Sequence, residues 1–70
     1  MAASRQELLA AITELSQTDP DLRFGQLVAN LATLAQGAKV EAIWDAEDDE
    51  LLVAAKRMLE SYRARKAGAA

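Results

Sequence analysis

Apolar residues recur at three- and four-residue spacing along most of this chain, and that period is the signature of amphipathic helices. Leu8, Ala11, Ile12 and Leu15 form one stripe, which predicts a first helix over about 5–17 with Ser4-Arg5-Gln6-Glu7 as its capping box. Thr18-Asp19-Pro20-Asp21 then reads as a turn, because the residue before proline is pushed away from helical angles. Asp19 is expected to cap a second helix opening at Pro20 and running over about 20–36, with Phe24, Leu27, Val28, Leu31, Leu34 and Ala35 on a broad apolar face. Gly37 supplies its left-handed stop.

Two stretches are less regular. Gly25 lies inside the second helix at a cost of about 1 kcal/mol relative to alanine, and its spacing from Ala29 and Ala32 favours close approach of another helix over a kink or a loop-like start. Residues 38–44 are too few for a long element and are expected to form a connector with one helical turn. Asp45 is then placed as the cap of a third helix over about 46–66, with Asp48 at its third position. Leu51, Ala55, Met58 and Tyr62 make its stripe, widened by Leu52 and Leu59, and a frayed tail follows at 67–70. There is no useful period-two alternation and no internal repeat. The expected fold is all-α, a single helical domain over 1–70 built as a small three-helix bundle. Its broad apolar faces exceed what three short helices cover, which points to a homodimer.

Composition sharpens that picture. A 70-residue chain typically buries only about 60% of the surface its unfolded form exposes, so its stability is marginal. Cysteine and histidine are both absent, which removes disulfides and the usual zinc ligands as staples. Dense helix packing or self-association remains. The net charge of −3 disfavours nucleic acid and anionic membrane as partners, since both recruit basic surfaces. Met1-Ala2-Ala3-Ser4-Arg5 leads straight into an amphipathic pattern without a signal-peptide signature, and the expected location is cytoplasmic.

Candidate chemistry concentrates at Trp44-Asp45-Ala46-Glu47-Asp48-Asp49-Glu50, a large aromatic followed by five acids. Acids near a helix start complement its partial positive charge, so the block reads first as architecture. Against the calcium-loop pattern, Asp45, Glu47 and Asp49 fit the first, third and fifth positions, but Glu50 stands where glycine must turn and Lys56 where the bidentate glutamate belongs. Neighbouring acids on a wet helix also lack the burial that separates the pKa values of an acid/base pair. Ser4, Ser16 and Ser61 have no histidine to activate them. No enzyme activity, cofactor or metal is expected. Trp44 has two readings, a lid on the core beside Ile43 and Leu51 or an anchor for a partner. Arg23 is a candidate salt-bridge partner for Asp45 or Glu47.

The stretch Asp19-Pro20-Asp21-Leu22-Arg23-Phe24-Gly25-Gln26-Leu27, followed by Ile43-Trp44-Asp45-Ala46-Glu47-Asp48-Asp49-Glu50-Leu51-Leu52, resembles a pattern of small bacterial proteins without an assigned activity. In these a Pro-Asp-Leu-Arg-x-Gly-Gln-Leu segment precedes an aromatic and a Glu-Asp-x-Glu-Leu segment. The resemblance covers roughly half of the chain. It implies a bacterial origin and a shared fold in which Arg23, Gly25 and the acid block matter together, and it carries no function.

The functional expectation is a small cytoplasmic protein-interaction or accessory module. Phe24, Leu31 and Trp44 would form its apolar edge, with Asp45, Glu47, Asp48, Asp49 and Glu50 steering a basic protein partner. Its sharper form is an acidic neutraliser of antitoxin or immunity type. The alternative is a helical DNA-binding regulator using Lys56, Arg57, Arg63, Arg65 and Lys66 in the C-terminal half of the third helix.

Overall fold

The computed structural model describes residues 2–68, with side chains described for 4–65. Four helices run along them: α1 Ala2–Thr18, α2 Phe24–Gln36, the one-turn α3 Ala42–Asp45, and α4 Asp48–Gly68. No strand occurs among the described residues. The all-α expectation therefore holds, with three long helices and the anticipated helical turn in the connector. The helix continues through Gly68 where fraying was expected, and Ala69 and Ala70 lie outside the described residues.

The longest helix, α4, is the spine, and both α1 and α2 pack against it. Arg5 meets Asp48 and Glu14 meets Arg63, so α1 runs parallel to α4. Gln36 at the end of α2 meets Glu50 at the start of α4, so α2 runs antiparallel to it. One apolar cluster joins them, built from Leu8, Ala11 and Leu15 of α1, Leu27 and Leu31 of α2, and Leu52, Ala54, Ala55 and Leu59 of α4. Leucine supplies the volume and alanine lets α4 sit close to both neighbours, which suits a core with few aromatics.

Helix starts depart from expectation in three places. Ser4 lies inside α1, which already runs from Ala2, because the alanines before it favour the helix and nothing stops it. Pro20 does not open α2. Asp19 and Pro20 occupy the first two positions of a turn closed by the Leu22 N–H on the Asp19 carbonyl at 3.1 Å, a placement both residues favour. The helix starts four residues later, where Arg23 is extended and its N–H donates to Gln26 Oε1 at 3.1 Å. That is the half of a capping box available to arginine, whose own side chain cannot accept.

The third departure is at α4. Asp45 belongs to α3, its N–H donating to the Glu41 carbonyl at 2.9 Å. The cap is Glu47, whose carbonyl accepts from Leu51 N–H at 2.9 Å while its own N–H donates to Glu50 Oε1 at 2.9 Å. The same three-residue carboxylate spacing occurs at 45/48 and 47/50. Each has a partner across the fold, Arg5 for Asp48 and Gln36 for Glu50, and with Asp48 drawn to Arg5 it is Glu50 that returns to the N–H of its cap residue.

Gly25 has nothing within 4 Å of where a side chain would begin, so the expected close helix approach does not occur there. Gly25 is instead the second residue of α2, the loop-like start that was the alternative. The close approach lies two turns further along, where α3 packs on α2: Ala32 and Ala42 are both buried and stand outside the main cluster. At Gly37 the backbone does need glycine, with φ 92°, and its N–H closes α2 on the Thr33 carbonyl at 2.7 Å.

Candidate docking surface

The connector between α2 and α4 is pinned at both ends. Gly37 closes α2, and Glu50 accepts two hydrogen bonds from Gln36 Nε2, at 2.8 and 2.9 Å, which ties the end of α2 to the start of α4. Within this bracket α3 makes a single turn, held by Ala46 N–H on the Ala42 carbonyl at 3.1 Å, with Ala42 turned inward. The large apolar residues of the connector then have no room inward and point out. Val40 is 80% exposed, Trp44 is 72% exposed, and Ile43 is more than half exposed. Trp44 is therefore not a lid on the core.

The acid block divides into two groups. Arg5 donates to Asp48 through Nε at 2.7 Å and Nη2 at 3.3 Å, a two-pronged pair that raises the Arg5 pKa through the hydrogen bond and then the charge of Asp48. Glu50 is the interhelix clamp described above, and Asp49 Oδ1 accepts from the Glu50 N–H at 2.9 Å. These three are held by the fold. Asp45 and Glu47 are exposed with no partner for their carboxylates among the described residues, and exposed Glu41 precedes them. Unpaired charge thus sits directly beside Trp44. Among the described residues no three acids converge so as to hold a metal ion.

The remaining expected site residues do not join this surface. Leu31 is 1% exposed and belongs to the core, because it lies on the face of α2 that meets α4, so it forms no part of an outer edge. Phe24 is 61% exposed but begins α2, whereas the acid block lies at the other end. Twelve residues of helix separate those ends by about 18 Å. The same separation explains why Arg23 forms no ion pair with Asp45 or Glu47, and it places Arg23 and Gly25 apart from the acid block. Val40 and Glu41 were missed as surface residues. Their signal was present in the alternation of Val40, Ile43 and Trp44 with Glu41 and Asp45, inside a segment too short to bury them.

At the opposite end of the molecule the basic run is partly engaged. Arg63 Nη2 donates to Glu14 Oε2 at 2.8 Å, and the Arg65 guanidinium lies 5.1 Å from the Tyr62 ring centroid. Lys56 and Arg57 are exposed, and the Lys66 side chain lies outside the described ones. Among the described residues no helix is long and apolar enough to cross a membrane. No known protein family, curated protein or solved structure matches the chain.

Proposed function

We propose that the chain is a small cytoplasmic protein-interaction module, working as a homodimer, that docks a partner protein through its α2–α4 connector. The observation that carries this reading is Trp44, a large aromatic 72% exposed beside the unpaired acids Asp45 and Glu47 on a turn fixed at both ends. A preorganised aromatic loses little freedom on binding, and tryptophan is enriched among the residues that dominate interface energies. Val40 and Ile43 extend the apolar contact, while Glu41, Asp45 and Glu47 favour a partner whose pocket has a basic rim. An acidic neutraliser of a basic target, of antitoxin or immunity type, is the sharper form of the proposal. The engagement of Arg63 by Glu14 and of Arg65 by Tyr62 weighs against the DNA-binding alternative.

The test is affinity isolation from the native lysate with wild type, Trp44→Ala and Asp45→Asn/Glu47→Gln, followed by affinity measurements on the purified partner. Trp44→Ala should weaken binding by about 30-fold or more, the loss of a dominant contact of at least 2 kcal/mol. The carboxylate variant should slow association and flatten its salt dependence. A partner bound equally by all three folded proteins sinks the reading.

A further inference from the structure

The exposed ridge of α4 carries a charge pattern that is symmetric about one residue. Val53, 56% exposed, is flanked three residues to either side by Glu50 and Lys56, and four residues to either side by Asp49 and Arg57. Acids therefore lie toward the N-terminal side and bases toward the C-terminal side, at equal distances from an outward-pointing valine. Residues at these offsets share one face of a helix. Asp49 and Lys56 on one flank, and Glu50 and Arg57 on the other, are seven residues apart, about 10 Å along the axis, so they do not neutralise each other within one chain. Among the described residues neither Lys56 nor Arg57 makes an ion pair, and the Asp49 carboxylate accepts only from the adjacent backbone N–H.

We infer that a second copy of this chain docks on this ridge, antiparallel, with the two-fold axis passing at Val53. A two-fold interface brings the same surface to itself in opposite direction. That operation sets Val53 on Val53 and each flank of the ridge on itself, so Asp49 faces Lys56 of the other copy and Glu50, which shares the α2 side with Arg57, faces its Arg57, each pair formed twice. Leu34, which lines the adjoining groove with Val53 and a second depression with Met58, supplies apolar contact beside the axis. A parallel arrangement would place acid on acid and base on base. This inference rests on the proposal that the chain self-associates, and it leaves the Trp44 face free for a different partner.

Sedimentation equilibrium of the full chain across micromolar to millimolar concentration tests it, with wild type, Asp49→Arg, Lys56→Asp, the combined Asp49→Arg/Lys56→Asp exchange, and Trp44→Ala, each checked for folding by circular dichroism. Each single reversal should weaken the dimer by about tenfold or more, since like charges then face each other twice, and the combined exchange should restore it. Wild-type association untouched by Trp44→Ala supports the ridge. Single reversals that leave association unchanged, a folded combined exchange that fails to recover, or dissociation by Trp44→Ala overturns the ridge as the interface while leaving self-association standing. A wild type that stays monomeric throughout overturns self-association itself and leaves partner docking through Trp44 unaffected.

Discussion

The Tyr62 hydroxyl donates to Asp19 Oδ2 at 3.0 Å, joining residues 43 apart in sequence and fastening α4 to the turn between α1 and α2. The bond exists only while the phenol is protonated. It raises the Tyr62 pKa, chiefly through the hydrogen bond, then through desolvation and the Asp19 charge, against a lowering by Arg65. A raised folded-state pKa means that the stabilisation is complete below the unfolded tyrosine pKa of about 10 and is lost as pH rises through the folded value.

Tyr62→Phe should accordingly cost about 0.5–1.5 kcal/mol near neutral pH, the usual net worth of one hydrogen bond. The difference between wild type and variant should shrink above pH of about 10. Urea denaturation of both proteins across neutral to strongly alkaline pH checks this, and the comparison cancels the titration of the lysines. A constant difference across that range would show that the ring, and not the hydroxyl, holds the turn.

Glu50 is the residue of the acid block on which the fold leans most, since it accepts from Gln36 Nε2 and from the Glu47 N–H. Glu50→Ala should destabilise the domain by about 1–3 kcal/mol, as hydrogen bonds to a charged acceptor are worth more than neutral ones. Gln36→Ala should lose less, and the double variant less than the sum of the two, because both singles break the same contact. Strict additivity in denaturant unfolding would mean that the clamp contributes nothing across the helices.

The two helix-start and helix-stop glycines should respond with opposite sign. Gly25→Ala meets open space at ordinary φ and should be neutral or stabilising by up to about 1 kcal/mol. Gly37→Ala places a side chain at φ 92° and should destabilise by about 1 kcal/mol or more. Thermal unfolding of the two variants measures both. Stabilisation by Gly37→Ala would rule out the backbone conformation described.

Helix periodicity made the long elements and most of the core legible, because Leu8, Leu15, Leu27, Leu52 and Leu59 each lie on a stripe that has one way to be buried. Local signals that serve two purposes were not resolvable. Asp19-Pro20 favours a turn as much as a helix start, and the 45/48 and 47/50 carboxylate pairs are told apart by long-range partners, Arg5 for Asp48 and Gln36 for Glu50. Leu31 lies in the core instead of on the expected outer edge, and of the two readings of Trp44 the exposed one is found. Whether an apolar residue of a short connector turns inward depends on which small residue takes the buried position, and here Ala42 does.

Trp44 is the chain's single tryptophan, so its fluorescence reports on one face alone. At 72% exposure its emission should lie near that of a solvated indole and be readily quenched by acrylamide, unlike a core tryptophan. Self-association through Val53 leaves this face open, so quenching should not change as concentration rises through the monomer–dimer transition. Binding of a partner to the connector should shift the emission to the blue and protect it from quencher. Trp44→Ala should also cost little stability, within about 0.5 kcal/mol as for other surface sites, whereas Leu31→Ala, at 1% exposure, should cost about 2–5 kcal/mol. Emission that shifts on dilution of the isolated protein would place Trp44 in the dimer contact, and the partner surface would then have to be sought away from the connector.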